Sequence, residues 1–513
     1  MRDHTPVVIE EFNGLWARGD IDSCPLDHFS DCQNIKYSQG SFLTRDGLGA
    51  LLSSSFFLGN IKRIYSFNIA TSDGFIALNN SFQIYHIIPN VSNTLILTVN
   101  GMTDFGMVKI NDRAFITPCS DSTLVGLANE FLYVYNGDGT AARKAAGSPP
   151  VIADGAFTAT NSGTAGSVEA GIHLFSVVYE TNSGYLTAPG GIGVISQITA
   201  PGAQKVNLTG ISVSPNSFVV ARHIVATRAI DPTVFTGNQL GYTFYFVPNA
   251  TIQDNTTTTE TVDFFDSDLL DDASHLFDNF SSIAAGGGVN IYHNRLVLWA
   301  ENNNESLIRV SFPGEPEAIS QVDGLLLIDR SQHAISHAQQ YRDILYVFKD
   351  TLTYAFSDNG DVPSSWPQTL IDSGLGCLKH GVAGVLDPAG INIEYLVIAN
   401  YAGIYQFGGA FQIPELSWKI KDYWVTNVIE SGNIQSVLYN TQVYADPDHR
   451  IIYINIAFLS TVLAGFFDVN FDYEKIKWAK WTYNIQPTTI CLSSNKFALV
   501  IGAFQNGTPP PPI

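Results

Sequence analysis

The sequence predicts an all-β protein: a β-propeller of about six or seven blades with an inserted β-sandwich of the immunoglobulin or fibronectin kind. Three observations carry this expectation. Side chains alternate with period two in many short stretches, such as "IHLFSVVYE" and "NYAGIYQF". Gly, Asn and Asp turns separate them, and the strand groups recur at roughly 40 to 50 residues, the period of propeller blades. The texture changes near residue 150 and resumes after residue 288. The physical reason is burial. A lone four-stranded sheet cannot cover both its faces, whereas sheets stacked radially cover one another and leave only short edges.

Each segment follows from its pattern. Residues 1–50 read as irregular, with "EFNGLWARGDIDSCPLDHFSDCQNIKY" leading to "GSFLTRDGL", a segment expected to contact other subunits or an adaptor. Its few internal strand partners leave backbone groups that need external ones. Residues 51–150 form the first part of the propeller: "IKRIYSFNIA", "GFIALNNSFQIYHII" and "NTLILTV" as one sheet, then "MVKINDRAFITP" and "FLYVYNGDGTAARKA" as part of another. Residues 151–285 form the inserted sandwich, small-residue-rich at first, then alternating in "FVVARHIVATRAI" and "GYTFYFV", and closing on the acidic "VDFFDSDLLDDASHLFD". Gly286, Gly287 and Gly288 read as a return linker. Residues 286–505 complete the propeller, for instance in "NYAGIYQFGGAFQ", a strand, a tight glycine turn and a second strand; 506–513 is a Pro-rich tail. No window sustains a 3.6-residue period with caps, so helices are not expected.

Composition excludes several classes. Apolar residues at 45% are ample for a buried core, which rules out disorder. No run approaches the roughly 18 apolar residues of a membrane helix, and no membrane span is expected. The opening "MRDHTPVVIEEFNG" has no apolar signal region, so folding in the cytoplasm is expected. A net charge of −21 argues against tight phosphate binding over the whole surface. It does allow a repulsive wall along which DNA slides without sticking. The five cysteines, odd in number and widely spaced without CxxC, read as free and mostly buried thiols.

The chemical motifs are weak. There is no GxSxG elbow, phosphate loop, HExxH or strand-linked GxGxxG, so no catalytic residue, cofactor or metal site is expected. His333 and His337 are four apart, but on a strand that separates them by about 13 Å. Arg18-Gly19-Asp20 resembles an adhesion tripeptide, although its neighbours look like a packed segment. Asp468, Asp472 and Glu474 would suit a paired-carboxylate glycosidase, yet they sit where turns favour Asp.

The later strand groups resemble a known family. "HNRLVLWAENNNESLIRVSFPGEPEAI", "QYRDILYVFKDTLTYAFS", "IANYAGIYQFGGAFQIPELSWKIKDYW" and "WAKWT" resemble the β-propeller of bacteriophage tail proteins, as in the nozzle (tail tubular B-like) protein of short-tailed phages. "FNGLWARGDIDSCPLDHFSDCQNIKYSQGSFLTRDGLG" resembles the opening of those proteins, and "LYVYNGDGTAARKAAGSPP" their exit into an inserted sandwich. The resemblance implies a virion tail protein and no enzyme. It implies a homo-oligomeric, hexameric ring below the portal and adaptor that docks tail fibres and encloses a channel for genomic DNA during ejection. The chain is shorter than many nozzle proteins, which allows another place in the tail or neck. On this reading carboxylates outnumber lysines and arginines on the channel wall. Trp16, Arg18, Phe29 and Arg45 are the candidate interaction anchors in the N-terminal segment, against packing or salt bridging within the chain. The alternatives are a receptor- or carbohydrate-binding propeller presenting exposed Trp366, Trp418 or Trp424 beside carboxylates, and a propeller glycosidase.

Overall fold

The computed structural model describes residues 14–19, 24–25, 28–38, 41–44, 60–69, 74–89, 91–146, 157–182, 184–190, 195–214, 219–280, 282–322, 324–326, 333–386, 392–430, 437, 439–446, 450–456, 459, 461–467, 476–483, 486–492 and 499–504. It is all-β, made of small antiparallel sheets, and its described helices are single turns or little more. The chain divides into two compact units, residues 1–142 with 284–309 and 325–513, and residues 143–283 with 310–324.

Besides the pair Ile35–Ser38 with Ser41–Thr44, the first unit holds seven small sheets among its described residues, each following the chain strand by strand. They begin at Ile61–Ser66, Asp104–Ile110, Gly288–Tyr292, His337–Tyr341, Val382–Leu386, Gln442–Asp446 and Gln486–Leu492. Sequence chemistry sets the turns. Asn111-Asp112 and His293-Asn294, all with positive φ, close two-residue hairpins whose flanking pairs are Ile110 with Arg113 and Tyr292 with Arg295. Such turns match the twist of the strands they join, and Asn and Asp tolerate the left-handed region.

Contacts between the sheets form a closed circuit. Ile61–Ser66 touches Asp104–Ile110, which touches Gly288–Tyr292, which touches His337–Tyr341. His337–Tyr341 touches Ile393–Ala399 in the fifth sheet, whose first strand Val382–Leu386 touches Gln442–Asp446. The last hairpin strand, Gln486–Leu492, touches both Gln442–Asp446 and Ile61–Ser66, which returns the circuit to its start.

Side-chain alternation explains why sheets stack this way. In Phe75–Asn79 every residue is buried. Ile76 and Leu78 pack with the second sheet's Phe105, Ala114 and Ile116. Phe75 and Ala77 point the other way and pack with Cys491 of the last hairpin. In Ile393–Ala399, Leu396 and Ile398 pack with Tyr346 and Phe348 of the fourth sheet, while Tyr395, Val397 and Ala399 join the core of the sixth. The two faces of one strand thus bury against two neighbours, which is why these strands read as near-continuous apolar runs.

Gly286, Gly287 and Gly288 are not a linker. A Cβ on Gly287 would lie 1.7 Å from the Leu124 carbonyl oxygen. The Gly287 amide donates to Trp299 O at 2.7 Å, and Gly286 exchanges hydrogen bonds with the Thr117 hydroxyl at 2.7 and 2.8 Å. The glycines let three backbones approach closely.

The N-terminal segment finds its strand partners inside the chain. Leu15 N donates to Trp478 O at 2.8 Å, and Cys32 to Asn34 runs parallel to Lys480, with both backbone bonds at 2.7–2.8 Å. Leu15 and Cys32 are buried in the same core as Trp478. The outer strand of the sixth sheet, Lys477–Thr482, has an open edge that this segment occupies. Ile35–Ser38 then pairs with Ser41–Thr44.

The second unit contains a three-stranded sheet (Thr158–Val168, Gln204–Thr209, Thr259–Val262) and a four-stranded one (Ser196–Ala200, Gly171–Thr181, Val219–Ala226, Tyr245–Ile252). Val206, Leu208 and Val262 of the first share a core with Phe175, Val177, Tyr179, Ile224 and Ile252 of the second. Residues 310–324 belong here through a buried bidentate pair: Arg143 Nη1 and Nη2 donate to Glu317 at 2.7 and 2.6 Å. Phe280 N donates to Ile319 O, and Gln321 N to Asp278 O.

Candidate functional site

A cavity of about 170 Å³ lies where the sheets of the first unit converge. Every sheet of the circuit contributes to its wall, for example Tyr65, Met107, Val289, His337, Val382, Tyr444 and Ile490. Beside it sits a cluster of charges that no single segment announces. Asp104, 1% exposed, accepts Arg63 Nε at 2.6 Å on one oxygen. Its other oxygen accepts Lys379 Nζ at 3.0 Å and His380 Nε2 at 2.8 Å. The Lys379 ammonium also reaches Ser120 O at 2.9 Å, Thr123 O at 3.2 Å and Cys119 Sγ at 3.3 Å.

The electrostatics follow from burial and partners. Burial alone would raise the Asp104 carboxyl, but Arg63 and Lys379 outweigh it and hold it well below the usual carboxylate range. Burial, then the Arg63 charge, pushes His380 down to about 4 despite Asp104, so it is neutral at pH 7 and donates through Nε2–H. Burial likewise pushes His337 down to about 4, against the Lys379 backbone and the Gln339 side chain. Burial pushes the Cys119 thiol up to about 12, opposed by Lys379. A protonated thiol and an ammonium already engaged on four acceptors are not poised as nucleophiles. The cluster therefore clamps the second and fifth sheets to the first, while the cavity next to it offers polar groups of its own.

The anchors expected from sequence lie elsewhere. Trp16 is half-buried, edge-on to Trp418 at 5.5 Å and to His28 at 5.2 Å, with its indole N–H donating to Arg18 O. Phe29 is half-buried against the core that holds Leu15. Arg18 is exposed, its guanidinium 5.9 Å from the Trp418 ring centre. These three come together on the N-terminal segment; none reaches the cavity, and Arg45 lies outside the described residues. The exposed aromatic platform is a correction. Trp366 and Trp424 are buried at 4% and 0% exposure and Trp418 is partly buried, because their indoles pack inward and Trp366 and Trp424 donate to Asp361 O and Tyr401 O. Asp468, Asp472 and Glu474 lie outside the described residues. His333 pairs with Asp350 at 3.0 Å, apart from His337, and no group of three or more metal-ligating side chains occurs among the described residues. Among the described residues no helix is long and apolar enough to cross a membrane. All five thiols are free, and four are buried.

Sequence reading singled out His337 but not Arg63, Asp104, Trp299, Lys379 or His380. The available signal was charge inside otherwise apolar strands, as in "IKRIYSF" and "DFGMVKI".

No family model matches the chain, and no curated protein does. Among solved structures, apo AztD from Citrobacter koseri is similar at 11% identity and TM-score 0.32, over 88% of this chain and 90% of that one. A Bacteroides fragilis protein described as a 6-phosphogluconolactonase is similar at 10% identity and TM-score 0.28, over 64% and 87%. A chain of the mitotic checkpoint complex is similar at 10% identity and TM-score 0.27, over 70% and 87%.

Proposed function

We propose that this chain is a structural subunit of a bacteriophage tail, a seven-bladed β-propeller with an inserted β-sandwich that assembles into a nozzle-like ring. In this reading the ring lies below the portal and adaptor, docks tail fibres and forms part of the DNA ejection channel. The observation that carries the reading is the closed circuit of seven sheets, interrupted after the second, and again within the third, by a separate two-sheet unit. That order agrees with the resemblance in strand texture: early blade strands, an insertion, then the remaining blades. A closed circuit without a free sheet in it suits a load-bearing wall. The cavity of about 170 Å³ is far too small for a duplex, so the DNA channel lies between copies and not along the axis of one. The acidic excess of the chain suits a wall that does not retain DNA.

The test is electron microscopy of the purified full chain, with light scattering over a concentration series. A closed ring with carboxylates outnumbering lysines and arginines on its inner wall is the expected result. A chain that stays monomeric at every concentration and forms no ring with portal or adaptor overturns the reading. So does a basic inner wall.

A further inference from the structure

We propose that residues 263–278 of the second unit form a docking surface for a protein that presents an apolar pocket ringed by lysine or arginine. The proposal does not depend on ring assembly. The stretch contains two apolar doublets, Phe264-Phe265 and Leu269-Leu270. In each, one residue is buried, Phe264 at 2% and Leu269 at 0% exposure, and the other stands in solvent, Phe265 at 52% and Leu270 at 78%. Their spacing along the chain keeps the Cα atoms of Phe265 and Leu270 within about 18 Å. A standard interface of about 800 Å² per partner is roughly 30 Å across and covers both. Neighbouring chain adds to the apolar surface. Phe312, 36% exposed, lies edge-on to His275 with ring centroids 6.3 Å apart. Val322, 74% exposed, follows Gln321, whose N–H donates to Asp278 O at 2.8 Å.

These side chains stand on a fixed backbone. Leu269 O accepts Arg228 Nη2 at 2.8 Å and Asp271 O accepts Phe246 N at 2.9 Å, so Leu270 sits between two anchored residues. Phe265 N donates to Asp268 Oδ2 at 3.0 Å, and Asp266 Oδ2 accepts Ala229 N at 2.8 Å. A segment already ordered this way loses little entropy on binding.

Charge selects the partner. The same stretch carries Asp263, Asp266, Asp268, Asp271, Asp272 and Asp278, and no lysine or arginine. In the whole second unit five lysines and arginines stand against fifteen aspartates and glutamates. Three of those five cations are paired within the unit, Arg143 with Glu317, Lys205 with Asp263 and Arg222 with Asp254. Nucleic acid and a second copy at −21 both carry the same sign of charge and are repelled. The carboxylates do not converge on a point, since no group of three or more metal-ligating side chains occurs among the described residues. An extended cationic surface matches them, and its apolar pocket takes Phe265 and Leu270 as anchors.

The test uses the purified full chain and three labelled peptides of equal length: an amphipathic Lys/Leu peptide, a Lys/Ser peptide and a Glu/Leu peptide. Anisotropy titrations should show saturable binding of the Lys/Leu peptide that weakens with added salt, the Lys/Ser peptide at least about tenfold weaker, and the Glu/Leu peptide silent. Leu270→Ser should weaken Lys/Leu binding about tenfold or more, the worth of one buried leucine side chain. Leu370→Ser, at a position 52% exposed in the first unit, should leave it unchanged. Hydrogen exchange of the unaltered chain should show residues 263–278 protected by the Lys/Leu peptide, a readout that needs no variant to fold. No saturable binding, equal binding of the Lys/Leu and Lys/Ser peptides, unchanged binding in Leu270→Ser, or protection confined to other segments overturns the proposal. So does self-association in light scattering that Leu270→Ser abolishes, which assigns the surface to a second copy. Saturable binding of a labelled oligonucleotide that the same variant abolishes overturns it as well.

Discussion

Replacing Asp104 by Asn keeps the shape of the charge cluster and removes its only carboxylate. Arg63 Nε and Lys379 Nζ lie 2.6 and 3.0 Å from the carboxylate oxygens, and their side chains are each 2% exposed. At an effective dielectric of ~20, each contact is worth about 6 kcal/mol of gross attraction, most of it offset by desolvation. What the substitution exposes is the uncompensated part: two buried cations with no counter-charge, a situation that costs about 3–5 kcal/mol. All seven tryptophans belong to the same unit as the cluster, so their fluorescence in a urea titration reports that unit alone. Asp104→Asn should lower its unfolding free energy by about 3–5 kcal/mol, and adding Lys379→Met should restore part of the loss because it removes one stranded charge. A loss below about 1 kcal/mol, or no recovery in the double variant, would refute the clamp.

Acid should weaken the same unit. His337 and His380 titrate near 4 when folded and near 6.5 when unfolded, so the unfolded chain binds more protons between those values. Their contribution is complete above ~6.5 and falls with pH, by up to about 1.4 kcal/mol per unit for each histidine, until the folded values are reached. The stability that Asp104 confers has a different window, present above its unfolded value and lost only as pH falls through its depressed folded one. Urea midpoints at pH 7.5 and 5 should therefore differ, and His337→Gln should roughly halve the slope. Gly287→Ala should cost more than about 3 kcal/mol by fluorescence, since its Cβ would sit 1.7 Å from Leu124 O. Glu317→Gln should cost about 3–5 kcal/mol in the second unit, read by hydrogen exchange, because Arg143 is left buried without its carboxylate. Ile398→Ala should cost about 2–5 kcal/mol, whereas Val91→Ala, at a position 69% exposed, should be near neutral.

Short-range physics was legible in the sequence. "GFIALNN" and "RLVLWAE" read as strands because their burial on two faces leaves an apolar run, and "KINDRAF" reads as a hairpin because Asn111 and Asp112 tolerate positive φ. The return of texture after residue 288 was legible too, because the sheets before and after the second unit solve the same packing problem. The charge cluster was not. Arg63, Asp104, Lys379 and His380 come from three separate stretches, and nothing local tells an inward-facing charge from an outward-facing one until the sheets are placed. The glycine run was misread for a related reason. Freedom of rotation and absence of a side chain have the same spelling, and only the approach of Leu124 and Trp299 decides between them.

The circuit is closed by Gln486–Leu492 resting against Ile61–Ser66, and Leu15, Ala17 and Asn34 donate their backbone N–H groups to Trp478, Lys419 and Lys480. Synthesis proceeds from the amino end, so the earliest sheet waits for the latest hairpin with one apolar flank uncovered, Phe75 and Ala77 among it. A ribosome stalled or a chain cut before residue 486 therefore yields an open arc with sticky ends, which makes the final hairpin the natural place to look for a requirement for chaperones.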